Sequence, residues 1–508
     1  MKIYLTTPLY YVNDTPHIGH AYATIISDVI VRFHKLFGHE TLFLTGTDEH
    51  GQKVFEAAKK RGIEPQAHCD EMSKNYVNIW QELEIKYDIF FRTTDAFHKK
   101  AVQDCLQELF DKGEIYSQDY EGWYCVSDEI YYQEKDLVNG KSPTGREVVK
   151  LKEKNYFFKM SKYQGDLISH IEKNPKFIQP ESKKNEVMGF LRQPLNDLCI
   201  SRPKTRLTWG VEIPFDKDYV TYVWFDALLN YATGVGYKQK GKEEFFKKWW
   251  CETGAIHFLG KDILTTHAVY WATMLLALQI PLPKMIFAHG WWLTENNEKI
   301  SKSAGPVVKP LDVKALVGVE PLRYYLTRDV NLGNDAQFSQ ELVVNRINSE
   351  LANNLGNLLS RSTNLIAKFF DGKIPATDFS HEKTKTLQAT AITVADKVKD
   401  EILNMAPQRA IGHVIDMLSD ANKYLEDMAP WKTAKTDLNL AGESLVASLE
   451  CLRIAGILLS PVMPLKMKSL LDSVGWRESI TFEGAKGWPR LTPGTSVGKA
   501  EALFPRIQ

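Results

Sequence analysis

The segment "IYLTTPLYYVNDTPHIGHAYATIISDVIVRFHKL", residues 3–36, constrains this chain more than any other. Its opening part is rich in Ile, Leu, Thr and Tyr and reads as a buried strand. From Ile18 onward, apolar residues recur as Ile18, Ala21, Ile25, Val29 and Phe33, at helical spacing. Thr15 suits the N-cap of that helix and Pro16 its first position. The helix end is expected to offer unpaired backbone N–H groups, which attract anions and phosphates above all. His17, Gly19 and His20 sit at this junction. Glycine lets a ligand approach the backbone, and both imidazoles lie near the positive end of the helix dipole. The alternative is a capped helix end with solvated imidazoles. No GxxxxGK[ST] loop occurs, so a phosphate cradle here is of another kind.

At 508 residues the chain is too long for one core. Residues 1–115 alternate strand and helix patterns, as in a parallel α/β domain. From 116 to 222 the texture changes to Tyr, Lys and Gly with short strands, as in an inserted module. The α/β pattern resumes over 223–290, with "AIHFLGKDI" and "KMIFAHGWW" as strands. A loop and linker follow over 291–340. Residues 341–508 are nearly all helical in pattern and predict an all-α bundle. The last twenty residues read as a loosely packed tail.

Lys+Arg and Asp+Glu both total 63, so any nucleic-acid contact must come from local basic faces. The cysteines at 69, 105, 125, 199, 251 and 451 form no CxxC pair. That predicts a reduced compartment with neither a disulfide framework nor a closed zinc site. The first strand follows a single lysine, so no secretion leader is expected. The apolar run "AVYWATMLLALQIPLP" is cut short by Pro281 and Pro283, below membrane-spanning length. A cytoplasmic enzyme with no membrane contact is expected.

The stretch "EKISKSAGP" carries Lys299, Ser301, Lys302 and Ser303 beside Gly305 and Pro306. Alone it is a polar surface loop. Together with the upstream "HIGH", it resembles the paired ATP-binding motifs of class I aminoacyl-tRNA synthetases, with Ile300 where the second motif usually has Met. "PLYYVNDTPHIGH", "TGTDEHGQK", "VWFDALLNY" and "GKDILTTHAVYWATML" narrow the resemblance to the methionyl-tRNA synthetase branch, over essentially the entire chain.

The resemblance implies a Rossmann-like catalytic domain split by a connective-peptide insertion, then a helical anticodon-binding domain. It implies activation of methionine with ATP to methionyl-adenylate, and transfer of the methionyl group to the 3′ end of tRNA for initiation and elongation. His17, Gly19, His20, Lys299, Ser301, Lys302 and Ser303 would contact ATP, with the two histidines and two lysines catalytic. Leu9, Tyr11, Trp224, Ala227, Leu228, Tyr231, Ile263 and His267 would line the methionine pocket. Aromatic rings suit a thioether, and Tyr or His can offer its sulfur a weak hydrogen bond. Leu228 departs from the proline more usual there. Asp48 would take the substrate ammonium. Arg202, in "CISRP", resembles an arginine that engages substrate or ATP; a partnered surface arginine is the alternative.

Asn357, Arg361 and Trp431 match positions that read a CAU anticodon, with a plug in the bundle the other role for Trp431. Mg²⁺ is implied alongside ATP. In many relatives the insertion holds zinc between cysteine-pair knuckles, whereas here Cys125, Asp128, Ser142 and Gly145 stand at those positions. One thiol and one carboxylate do not complete a tetrahedral site, so no structural zinc or other bound metal is expected. Packing of Trp123, Tyr124, Tyr131 and Tyr132 would hold the module instead. A monomer is expected. A related leucine, isoleucine or valine enzyme would need a large editing insertion, and a small nucleotidylyltransferase would lack the helical domain.

Overall fold

In a computed structural model, residues 1–125, 130–132, 134–143, 145–294, 300, 308–498 and 502–507 are described. The apolar runs become six parallel strands: β1 (Lys2–Tyr11), β2 (Glu40–Asp48), β3 (Ile89–Arg92), β4 (Ile178–Gln179), β5 (Ala255–Gly260) and β6 (Met285–His289). Their order is β3-β2-β1-β5-β6-β4, with helices packed against the sheet. The near-continuous burial of β1 and β2 is what a sheet covered on both faces requires. The chain runs outward from β1 to β3, adds β4 at the opposite edge, and then fills the other side of β1 with β5 and β6. The β1–β5 boundary is therefore the topological switch point, where open α/β sheets bind ligands beyond their strands' carboxyl ends.

The helix after β1, α1, spans Ile18–Leu36, and its cap is His17 rather than Thr15. An imidazole Nδ1 accepts a backbone N–H two positions on, as a shorter capping side chain does, and this removes Thr15 and Pro16 from the helix.

Residues 116–222 hold most of a four-stranded antiparallel sheet, in the order Ile130–Tyr132, Ile115–Cys125, Val149–Phe158, Leu198–Cys199. The same segment also lends β4 to the edge of the parallel sheet. Tyr124 is buried, with the Arg206 and Arg202 guanidinium carbons 4.5 and 5.3 Å from its ring centre. Trp123 and Tyr132 are half-buried. Ser142 accepts the Arg146 N–H at 3.2 Å and Gly145, at φ +78°, closes the turn. Asp128 lies outside the described residues.

The C-terminal part is built from α2 (Val319–Arg328), α3 (Asn357–Phe369), α4 (Glu382–Leu403), α5 (Pro407–Met428), α6 (Leu438–Leu459) and α7 (Pro464–Ser473). Helix α6 is buried on every side from Ala441 to Leu459 and forms the centre of the bundle. Described parts of the tail are anchored to the bundle. Leu491 and Phe504 are buried, the Glu450 carboxylate accepts the N–H groups of Arg490 and Leu491, and Asn348 bonds both backbone groups of Ile507. Sequence alone shows few apolar residues there; these backbone bonds to distant side chains supply the anchoring.

Candidate active site

The carboxyl ends of β1, β2 and β5 converge with the N-terminus of α1. Parallel register sets Leu9 beside Gly46 and Tyr11 beside Asp48. Asp48 is buried at the last position of β2. Tyr11 meets Trp224 edge to face at 6.2 Å, and Trp224 meets His267 at 6.1 Å. Leu9, Trp224 and Ile263 pack on the apolar cluster that contains Leu228 and Tyr231, and Ala227 is buried on the same short helix, Val223–Leu228. The expected pocket residues thus come together from four separate stretches of chain.

Hydrogen bonds set the protonation of the pocket wall. His267 Nδ1 lies 2.9 Å from the Ile263 carbonyl, which only accepts, so Nδ1 carries the proton. Nε2 then accepts from the Tyr231 hydroxyl at 2.8 Å. Burial pushes His267 down to about 4, against the pull of Ile263, so it is neutral near pH 7. His257, whose ring lies 4.2 Å from that of Tyr231, accepts from the Trp271 indole at Nε2 and donates its one ring proton, on Nδ1, to Thr6 Oγ1. Burial lowers it as well. Both imidazoles are therefore uncharged near pH 7. The expectation that Tyr231 or His267 offers a proton to sulfur is not met here, because both protons are already committed to protein acceptors.

The start of α1 also differs from expectation. Ile18 N–H donates to the Val308 carbonyl at 3.0 Å, Gly19 N–H to His17 Nδ1 at 3.0 Å, and His20 and Ala21 N–H to the His17 carbonyl at 3.0 and 3.1 Å. The backbone donors of this helix end are therefore satisfied within the protein, and an anion must be met by side chains instead. His17 N–H donates to His20 Nδ1 at 3.3 Å, and the two rings stack at 3.7 Å. With both Nδ1 atoms accepting, each ring carries its proton on Nε2. Gly19 is required by this packing: a Cβ there would lie 2.9 Å from His17 Cε1.

Lys299, Ser301, Lys302 and Ser303 lie outside the described residues. Ile300 is buried and its N–H donates to the Trp292 carbonyl at 2.9 Å, while Val308 is bonded to the first residue of α1. Arg202 is buried rather than on the surface, 4.7 Å from the Tyr222 ring centre and bonded to the Ser201 carbonyl. In the helical domain Asn357 is exposed, and the Arg361 guanidinium lies 4.9 Å from the ring centre of half-buried Trp431. Arg361 also pairs with Glu426 at 3.0 Å.

Sequence reasoning missed a buried polar group beneath the pocket. Asp226 Oδ2 lies 2.5 Å from His50 Nδ1 and its Oδ1 2.8 Å from His98 Nε2. Next to it Glu49 takes Arg92 in a bidentate pair at 2.7 and 2.9 Å. The signal was present: an aspartate inside the apolar run "VWFDALL" demands partners.

A parallel sheet with paired histidines at its switch point and a C-terminal helical bundle, in a chain that also carries the second sequence motif, define a class I aminoacyl-tRNA synthetase. A family model described as class I tRNA synthetases (M) matches residues 3–149 and 132–363, and one for the anticodon binding domain of methionyl tRNA ligase matches 374–508. The chain is 42% identical over 507 residues to the methionine–tRNA ligase of Caldanaerobacter subterraneus subsp. tengcongensis, covering 99% of this chain and 78% of that one. It is 43% identical over 511 residues to that of Rickettsia bellii, covering 99% of each. The Mycobacterium tuberculosis methionyl-tRNA synthetase in complex with methionyl-adenylate superposes with a TM-score of 0.93 at 39% identity, over 99% of this chain and 100% of that one. The chain belongs to the methionyl-tRNA synthetase family, and its activity is that of a methionine–tRNA ligase. No helix of the described residues is long and apolar enough to cross a membrane.

Proposed function

We propose that the edge formed by β1, β2, β5 and α1 is the site of methionine activation, and that the residues named from the sequence act there. Asp48 holds the ammonium, and Leu9, Tyr11, Trp224, Ala227, Leu228, Tyr231, Ile263 and His267 enclose the side chain. This places the methionine carboxylate toward α1. One of its oxygens attacks the α-phosphorus of ATP, a new O–P bond forms, and the bond to pyrophosphate breaks. His17 and His20 meet the phosphates as Nε2–H donors, and Gly19 keeps the His17 ring in place. Lys299, Ser301, Lys302 and Ser303 close on the triphosphate and bear its developing charge. The terminal ribose hydroxyl of tRNA then attacks the adenylate carbonyl and AMP leaves.

Among the described residues no group of three or more His, Cys, Asp or Glu side chains is set to hold a metal. Mg²⁺ would accompany ATP and would offset the negative charge of its phosphates. Arg202, inside a cage of Tyr222 and Tyr124, orders the insertion beside the site. Asn357, Arg361 and Trp431 read the CAU anticodon of the methionine tRNA, with Trp431 as a stacking platform. The enzyme acts as a monomer in the cytoplasm.

The observation that carries this reading is the register that sets Tyr11 beside Asp48, in one edge with the His17–His20 pair. Methionine-dependent ATP–pyrophosphate exchange tests it. Asp48→Asn should raise the KM for methionine at least tenfold, and His20→Ala should lower kcat. Unchanged constants in both variants would sink the assignment.

A further inference from the structure

Three elements meet on the carboxylate of Asp226. The side chain is fully buried on the helix Val223–Leu228, two residues after Trp224 and one before Ala227. His50, two residues after Asp48, reaches it across 176 residues of sequence. His98, from the helix Ala96–Asp111, reaches its other oxygen across 128 residues and bonds Thr233 Oγ1 at 2.8 Å with its second nitrogen. Burial alone would drive the Asp226 carboxyl up, but the charge and hydrogen bonds of the two imidazoles bring it down to about 2, so it stays ionised.

The strand end is braced on its far side too. Glu49 holds Arg92, Thr47 and Thr94, and Arg92 also reaches Asp70 at 2.6 Å. Asp48 thus sits between two side chains whose polar atoms are fixed, on a backbone with little freedom to move. The His50–Asp226 bond links this strand end to the helix carrying Trp224 and Ala227.

We infer that Asp226, gripped by His50 and His98, is a positioning residue for the methionine subsite. It sets the separation between the Asp48 carboxylate, which takes the ammonium, and the apolar wall on the Val223–Leu228 helix. The inference rests on the pocket reading above. A side chain that spaces two halves of one subsite acts on methionine affinity and leaves the nucleotide subsite, built on α1, unaltered.

The test is steady-state exchange kinetics of the full chain with methionine and ATP varied separately. His50→Ala should raise the KM for methionine at least tenfold and leave the KM for ATP within twofold. His50→Gln, which retains a donor for Asp226, should recover the methionine KM to within threefold of the parent. Adding His50→Ala to Asp226→Asn should raise it no further than Asp226→Asn alone, because both break the same link. Equal rises in both KM values, or a methionine KM within twofold of the parent in His50→Ala, would overturn the inference. If Asp226→Asn does not fold, the two His50 variants decide alone. Asp48→Asn separates the two readings: no effect there removes the pocket assignment itself, whereas an effect there with none in His50→Ala removes only the role of Asp226.

Discussion

Arg323 Nη2 donates to Asp28 Oδ2 at 2.6 Å across 295 residues of sequence, with both side chains fully buried. Asp28 lies in the middle of α1, and Arg323 lies on α2, the helix that leads into the C-terminal bundle. The same guanidinium donates to the Val462 carbonyl at 3.0 Å, just before α7, and to the Leu83 carbonyl at 3.3 Å. Glu320, one turn earlier, accepts the N–H groups of Leu465 and Lys466 at 2.6 and 2.7 Å. The helix that begins with the paired histidines is therefore tied to the helical domain by a buried ion pair. Asp28→Asn takes the carboxylate from buried Arg323 and should cost about 3–5 kcal/mol, whereas Arg323→Met should cost less, because Arg32 still pairs with Asp28 at 2.9 Å. The combined Asp28→Leu, Arg323→Met variant should recover part of that in urea unfolding.

His17 and His20 should separate by substitution. His17 both caps α1 and presents an Nε2–H, so His17→Ala should lose exchange activity together with about 1 kcal/mol of stability. His17→Asn should restore the cap and not the activity. His20→Ala should lose activity with a smaller change in the urea midpoint, since its contribution to the cap is one long bond.

Gly19→Ala should lower exchange activity more than stability. The added methyl meets the His17 ring, which must rotate off its stack with His20. Unaltered turnover in this variant would show that the stacked arrangement is not the working one.

Trp431→Ala should reduce aminoacylation of tRNA at least tenfold while methionine–ATP exchange stays within twofold, as loss of one stacked base is worth about 1–3 kcal/mol. Arg361 lies over the same ring, so Arg361→Ala should act in the same direction. A parallel fall in both activities would make Trp431 a packing residue of the bundle.

Stability should fall on mild acidification. His267 and His34 are both held neutral by burial, each down to about 4, with His39 and Lys284 adding to the effect at His34. Above the ordinary histidine value, near 6.5, neither state is protonated and nothing is lost. Between about 6.5 and 4 only the unfolded chain takes up the proton, so each group removes up to ~1.4 kcal/mol per pH unit. Below about 4 the folded state is protonated too and this loss levels off. Guanidinium unfolding at about pH 7, 6 and 5 should show the decline, and His34→Gln should have a shallower slope.

Much of the architecture is carried by local pattern. The alternation of buried strands with helices of 3.6-residue period identifies the parallel domain, the apolar periodicity after residue 340 identifies the bundle, and the two motifs with their flanking aromatics identify the family. These signals are short in range, because strand and helix periods repeat within a few residues and a motif is contiguous. Two expectations failed where long-range bonds intervened. The donors at the start of α1 looked open, but Val308, 290 positions on, takes one and the His17 ring another. The tail looked loose, but Glu450 and Asn348 hold its backbone.

The chemistry of the site was decided by tertiary structure. No local pattern states that Tyr231 gives its proton to His267, that Asp226 is shared by His50 and His98, or that Arg323 neutralises Asp28. Each depends on desolvated polar groups meeting partners that lie between 36 and 295 residues away. In the interior an unsatisfied donor or charge is costly, so the fold that brings those partners together also fixes which nitrogen carries each proton. Sequence by itself determined the elements, the family and the residue types at the site; only the packed chain determined their protonation and their spacing, because both are set by contacts that exist nowhere but in the folded state.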